Sequence, residues 1–299
     1  MIHFNAEFRV NPAKISQLLP EGAAYSGLAY PEIFANEVQA WEKDKRRPRK
    51  KVNHTDPEAG YMAQPGKPNG FYYLSHQTTD PDWGIITAVT VTPGDVHDSQ
   101  PYLKQIEYVH KNVIPIQAAA ADSAYDLPLA HRVLEELGID FFVVPQPAHD
   151  RTKAEFKRDV FTYHGQRDVC LCPNGKELRP KRLYRSDSGL FWEYWADRRD
   201  CAYCALREKC LSETDKAGAR KLQDSYFKHS VQQHFSRRWE PEYREALKKR
   251  QIWCEGTFAA QKWGHNLTRV LRRGLEATED HCLLSATALN LKRMIRAMG

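Results

Sequence analysis

Residues 113–144 constrain the fold most. A short apolar run, VIPIQAAAA (113–121), ends at Asp122. The following LPLAHRVLEELG (127–138) sets apolar side chains at 129, 130, 133, 134 and 137, a helical spacing that stops at Gly138. FFVV (141–144) is a second buried strand. Strand, helix and strand within about 30 residues make a βαβ unit and an α/β class. Sites in open α/β sheets collect at the carboxyl ends of strands, and Asp122 stands at such an end.

Two further strands precede this unit. Residues 71–79 (FYYLSHQTT) are rich in aromatic side chains and Thr, and residues 84–92 (GIITAVTVT) are β-branched. The turn-like segment 80–84 between them predicts an antiparallel hairpin, and a helix is expected over roughly 99–111. Residues 150–230 change character. They are polar and turn-rich, hold five of the seven cysteines, and read as an insertion too poor in apolar residues at 165–190 for a core of its own. From about 241 the chain reads as helix to its end, with a Gly- and Arg-containing connection at 264–274. At the other end, residues 1–40 read as short helices and turns, and 43–51 (KDKRRPRKK) carry seven basic side chains in nine positions.

The composition fits a globular protein, with 41% apolar and 27% charged residues. No apolar run approaches the ~18 residues of a membrane span, and the N-terminus is too polar for a signal peptide. Seven cysteines without a secretory signal point to a reducing compartment. Net charge is +6, but residues 201–299 carry 19 Lys+Arg against 11 Asp+Glu, or +8, leaving −2 for the rest. Such asymmetry suits a polyanion partner, most often nucleic acid, or a solvated basic face.

Three constellations could carry chemistry. The first is acidic: Asp56 in HTDPEAGYM, Asp122, and Glu255 in WCEGTFAAQKW. Three carboxylates from distant segments suit two Mg²⁺ ions, which take hard oxygen ligands and can serve both the attacking and the leaving oxygen of a phosphodiester. Asp122 alone also suits a helix N-cap, and Glu255 with Lys262, seven residues on, a surface charge pair. The second is sulfur: Cys172, Cys201, Cys204 and Cys210 fit a structural Zn²⁺ site, with Cys170 as a spare and an iron–sulfur cluster or free thiols as alternatives. Cys254 and Cys282 read as core residues. The third is basic: Arg269, Arg272 and Arg273, with Trp253, Trp263 and His265 nearby to stack on unpaired bases. The final helix adds Lys292, Arg293 and Arg296, read there as a solvated face.

In this order, HTDPEAGYM, VTPGDVHDSQPYL, AAADSAYD, the cysteine block, CEGTFAAQKWGHNLTRVLRRGL and LSATALNLKRM resemble bacterial insertion-sequence transposases of the DDE class. The resemblance implies an RNase H-like mixed sheet flanked by helices, with a Cys-rich insertion and a helical C-terminus. It divides the chain into an N-terminal arm and basic linker (1–51), the first part of the catalytic domain (52–149), the insertion (150–230) and the completing helices (231–299). The implied chemistry is cleavage at transposon ends and strand transfer into target DNA with Mg²⁺ or Mn²⁺. A homodimer on double-stranded DNA, in the bacterial cytoplasm and away from membranes, would carry it out.

Residue by residue, Asp122 matches the second Asp, Glu255 the Glu, and Lys262 the DNA-contacting Lys. Where the family has Tyr and Arg before the Glu, this chain has Lys248 and Gln251, with Arg250 one residue off. No Asp-Gly-Thr strand is present, and Asp56 stands in for the first Asp, with Asp80 and Asp98 behind it. Two other readings remain in view: a truncated remnant that binds transposon ends without cutting, and an RNase H-like nuclease without strand transfer.

Overall fold

The computed structural model describes residues 51–64, 66, 68–146, 152–186, 189–212 and 218–298. The N-terminal arm and the basic run up to residue 50 lie outside them. The described residues fall into two compact units, 152–232, and 51–146 together with 233–298.

The second unit carries the expected hairpin and βαβ elements. Strands β1 (Gly60–Met62), β2 (Gly70–Thr79) and β3 (Ile86–Pro93) form an antiparallel sheet in the order β1-β2-β3. The β2–β3 register runs from Tyr73 opposite Pro93 to Thr79 opposite Ile86. β1 went unseen in the sequence because three residues are too few to show a period of two. Helix α1 (Tyr102–Asn112) leads to β4 (Ala118–Ala121), helix α2 (Pro128–Glu136) and β5 (Asp140–Val143). β4 and β5 pair in parallel, Ala118 with Asp140 through Ala121 with Val143. The two ladders remain separate sheets, and β4 packs against helix α6 (Pro241–Arg250). The Tyr243 hydroxyl of α6 both donates to the Val143 carbonyl (2.7 Å) and accepts its N–H (3.1 Å), satisfying backbone groups that β5 leaves unpaired.

The helical stretch from 241 is interrupted. After α6 the chain winds a π-turn over Gln251–Glu255 before α7 (Gly256–Gly264), and α8 (Leu275–Met298) follows. α8 buries Thr278, Cys282, Ser285, Ala286 and Leu289 and packs on β3. The Asn290 amide holds both the N–H (2.8 Å) and the carbonyl (2.9 Å) of Ile86. No helix among the described residues is long and apolar enough to cross a membrane.

The first unit corrects the expectation of a core-poor segment. Strands β6 (Thr162–His164), β7 (Val169–Leu171), β8 (Glu177–Ser186), β9 (Gly189–Ala196) and β10 (Lys221–Ser225) form a five-stranded antiparallel meander. Phe161, Cys170, Leu178, Trp192, Tyr194 and Leu222 make its buried cluster. Most of these residues lie outside 165–190, so composition over that window missed the core that strand pairing assembles. Short helices α3 (Arg198–Ala202) and α4 (Arg207–Cys210) sit between β9 and β10, and α5 (Lys228–Ser236) leads out of the unit. At its start Lys228 is buried, with Nζ 3.2 Å from Asp168 Oδ1, the same oxygen that accepts the hydroxyls of Tyr194 (2.6 Å) and Tyr163 (2.9 Å).

Candidate functional site

A cavity of about 1120 Å³ in the second unit is lined by β2, β4, α6, the π-turn and α7. Asp122 opens onto it from the end of β4. Its Oδ1 accepts the Ala124 N–H at 2.9 Å, so the capping role is real. Its Oδ2 accepts the Arg250 guanidinium at 3.1 Å. Beside it, burial raises the pKa of the Tyr125 hydroxyl; Asp98 and Asp122 raise it further, and Arg250 opposes them. Cys254 adds to the same rise, so these groups share one neighbourhood.

Asp80 follows the last residue of β2 and folds the hairpin turn. Its Oδ1 accepts the N–H groups of Asp82 (3.0 Å) and Trp83 (2.8 Å), and its Oδ2 that of Ile85. The turn needs Gly84, which has φ +69°, and the Trp253 ring fills the space a Cβ there would take. Trp253 donates from Nε1 to the Pro81 carbonyl at 2.8 Å, and Arg293 lies over its ring while donating to the Gly84 carbonyl. Trp253 is thus committed to the turn, whereas Trp263 is exposed. Thr79 Oγ1 meets Cys254 Sγ at 3.8 Å, which fixes the end of β2 against the π-turn. Cys254 and Cys282 both line the cavity, Cys254 half-buried and Cys282 buried.

Asp56 also lines the cavity. The Tyr73 hydroxyl donates to its Oδ1 at 2.7 Å, and the Gly274 N–H approaches Oδ2 at 3.5 Å. Tyr73 stands six residues before Thr79 on β2. At ~3.4 Å per residue that is about 20 Å of extended chain separating the Asp56 anchor from the π-turn.

Glu255 ends the π-turn with an exposed side chain, while Arg250, Trp253, Cys254, Phe258 and Lys262 line the cavity. A π-turn bonds i to i+5 and so adds one residue to the turn. Arg250 and Glu255 therefore stand one turn apart, as residues four apart do in an α-helix. Arg250, one residue before the position where the resemblance leads one to expect an Arg, faces the cavity and pairs with Asp122. The spacing in the sequence showed the offset.

Lys262 and Arg269 line the cavity with Lys249 and Arg250. Arg272 is exposed and pairs with Asp280 at 3.1 Å, and Arg273 is exposed on the same connection. Among the described residues, no three His, Cys, Asp or Glu side chains gather closely enough to hold a metal ion. For the carboxylates the cause is visible: Asp122 is held by Arg250, Asp80 by backbone N–H groups, and Glu255 faces solvent. In this arrangement they do not fit a two-metal centre.

Cys172 starts a tight turn in which the Lys176 N–H donates to its Sγ at 3.3 Å, with Gly175 at φ +71°. Asn174 Nδ2 reaches Cys204 Sγ at 3.7 Å. Burial pushes the Cys210 thiol up to about 11; Arg220 opposes this, and Cys201, Cys172 and Cys204 add to it. Burial also raises Cys201, the Arg220 backbone N–H opposes this, and Cys204 and Cys172 contribute. Cys201 and Cys210 thus each feel Cys172 and Cys204, although the thiols do not gather closely enough here to hold a metal ion. Cys170 is fully buried in the apolar cluster, against which Cys172 and Cys210 also pack.

No curated protein and no solved structure matches the chain. Residues 171–295 do match a known family, a span that includes Glu255, Lys262, the three arginines and the four cysteines but not Asp56, Asp80 or Asp122. That family is the transposase DDE domain, so over this segment the resemblance to insertion-sequence DDE transposases is borne out.

Proposed function

We propose that the chain is a DDE transposase that cuts DNA at insertion-sequence ends and joins the freed strands to a target. The observation that carries this reading is the family match across Glu255, taken with Asp122 at a strand end on a cavity whose other wall is basic. The carboxylates are Asp80, Asp122 and Glu255. Asp80 is chosen over Asp56 because the π-turn ties it to the other two. Arg250, at the start of the turn, pairs with Asp122, and Cys254, within it, meets Thr79 next to Asp80. Asp98, on the loop after β3, lines the same cavity and shares the Tyr125 neighbourhood with Asp122, Arg250 and Cys254, and it stands behind Asp80 as the alternative.

Divalent metal is the cofactor this family implies, and no step is routed through it here. This chain's own groups supply the rest. Lys249, Lys262 and Arg269 hold phosphates along the cavity, with Arg272 and Arg273 beyond it. Trp253 and Arg293 hold the Asp80 turn in place. The two sheets β1–β2–β3 and β4–β5 with their helices are taken as a distorted RNase H-like domain, with residues 150–230 inserted before the Glu-bearing helix and a homodimer assembling on DNA. Cys172, Cys201, Cys204 and Cys210 are assigned a structural Zn²⁺. N–H groups directed at thiol sulfurs favour thiolates, the form that binds metal.

The separation of the carboxylates favours a second reading, a protein that occupies transposon ends without cutting them. Incubation of the chain with Mg²⁺ and DNA bearing the flanking terminal repeats decides between them. Strand nicks at the repeat ends that vanish in Asp122→Asn support the first reading. Specific binding with no nicks under any divalent metal supports the second.

A further inference from the structure

We propose that residues 2–10 of this chain pair as a strand in the slot between β2 and β4, joining the two sheets of the second unit into one. Among the described residues, β2 from Tyr73 to Thr79 pairs along its length only with β3, because β1 reaches no further than Tyr72. β4 pairs only with β5. The second edge of each strand is therefore open, and residues 71–79 and 118–121 both line the cavity. Backbone N–H and C=O groups left open on a sheet edge are a template for a further strand, which adds by main-chain hydrogen bonds. β4 shows the same deficit, being a run of four alanines of which only Ala121 is buried. Side chains on α1 add to it. Gln105 Oε1 and the Tyr102 hydroxyl are buried without a hydrogen-bond partner among the described residues, and both residues line the cavity.

The two walls of the slot indicate which strand fits. Phe141 meets the Tyr102 ring of α1 and its neighbour Phe142 meets the Tyr243 ring of α6, so these helices flank opposite faces of the sheet. A strand in the slot turns one face to Tyr102 and Gln105 and the other to Phe142 and Ala246, so it must be polar on one side and apolar on the other. In residues 2–10 (IHFNAEFRV), Ile2, Phe4, Ala6, Phe8 and Val10 alternate strictly with His3, Asn5, Glu7 and Arg9. The prolines at 12, 20 and 31 all lie beyond this segment. Its polar face carries donors for the Gln105 oxygen and acceptors for the Tyr102 hydroxyl. Nine residues span about 30 Å, enough to cover the roughly 24 Å of β2 from Tyr73 to Thr79. The described chain also begins beside the slot: Lys51 lies over the Tyr61 ring of β1, and Asn53 and Asp56 line the cavity. Residues 11–50 can span up to about 130 Å, so reach sets no limit.

The inference concerns the sheet and stands apart from the catalytic reading, since it is tested without DNA or metal. In the full chain, amide exchange at residues 2–10 is expected to be at least about 100-fold slower than in the unfolded chain. Ala6→Pro removes an N–H at the centre of the strand, and should speed exchange at 73–79 and 118–121 by about tenfold or more. Ala23→Pro, outside the strand, is the control and should leave both segments unchanged. A photo-crosslinker in place of Phe8 should join it to β5, α6 or α7 of the same molecule, which a mixture of isotope-labelled and unlabelled chains establishes. Should Ala6→Pro unfold the unit, the crosslink and the exchange of the native chain decide. Exchange at 2–10 as fast as in the unfolded chain, unchanged exchange at 73–79 and 118–121 in Ala6→Pro, or a crosslink to a second chain or to residues 152–232 would overturn the proposal. A protein that cuts DNA while residues 2–10 exchange freely would sink this inference alone. A protected strand in a protein that never cuts would sink only the catalytic reading.

Discussion

The two units are built by opposite strategies. In residues 152–232 each strand lies beside its neighbour in sequence, β6 through β10. The longest side-chain links there span 60 to 68 residues: Lys228 to Asp168, Arg158 to Asp224, and Arg220 to Thr152. The other unit is spliced from two segments on either side of this one. Its links are Arg250 to Asp122 over 128 residues, Gln77 to Gln261 over 184, Asn290 to Ile86 over 204, and Gly274 to Asp56 over 218. A contiguous meander gains contacts at small loop-closure cost, whereas the spliced unit must bring distant segments together first. The candidate active site belongs entirely to the costlier arrangement.

The largest expected effect separates the units by function. On the cutting reading, Asp122→Asn, Glu255→Gln and Asp80→Asn should each lower strand cleavage by about 10³-fold, which corresponds to about 4 kcal/mol of barrier. DNA binding should stay intact. Asp56→Asn, about 20 Å of strand away, should change cleavage only a few-fold. A gel assay in which Asp56→Asn is as inactive as Asp122→Asn would reverse the choice of first carboxylate.

A smaller effect is confined to the meander. Asp168 has φ +46°, a conformation Asn also tolerates, so Asp168→Asn isolates the loss of charge. It removes the carboxylate hydrogen-bonded to the buried Lys228 ammonium and leaves only Asp224 to offset that charge, a loss of about 2 kcal/mol. Urea unfolding should show this loss while amide exchange in β4 and β5 is unchanged. Equal loosening of both units would show that they do not unfold separately.

The spliced unit should answer to pH instead. His131 is fully buried, with Nε2 2.9 Å from Asp126 Oδ1 and Nδ1 2.9 Å from His234 Nδ1. Burial, and then His131, lowers the His234 pKa to about 4. The unfolded chain therefore takes up a proton near pH 6.5 that the folded protein refuses until about pH 4. Stability from this group is full above about pH 6.5 and falls as pH drops toward 4, by at most about 3 kcal/mol. His234→Gln should flatten that part of the stability–pH curve. A curve of unchanged slope in the variant would remove the assignment.

The smallest effect concerns the exposed connection. Arg272→Ala breaks an exposed pair with Asp280 and should cost less than about 0.5 kcal/mol. It should nonetheless reduce the slope of log K against log salt for DNA binding by about 0.9. An unchanged slope would show that Arg272 touches no phosphate.

Local pattern alone made much of this legible. The hairpin 71–92, the β4–α2–β5 unit and the long last helix each follow from side-chain periods within one element, because burial on one face repeats every two or 3.6 residues. The order of the motif strings carried the family resemblance, and with it Asp122 and Glu255. Composition could not reveal the core of the cysteine-rich unit, because Phe161, Trp192 and Leu222 meet only when the meander pairs. Nor could spacing tell which face of 241–264 meets the cavity. One extra residue in the π-turn rotates the helix, bringing Arg250 onto Asp122 and leaving Glu255 in solvent. The separation of Asp56 from that turn, and the burial of His131 against His234, likewise depend on contacts more than 100 residues apart. Sequence by itself determined the elements and the kinship, since both are written in neighbouring residues. Tertiary structure decided which carboxylates share a neighbourhood, since that depends on how distant segments pack.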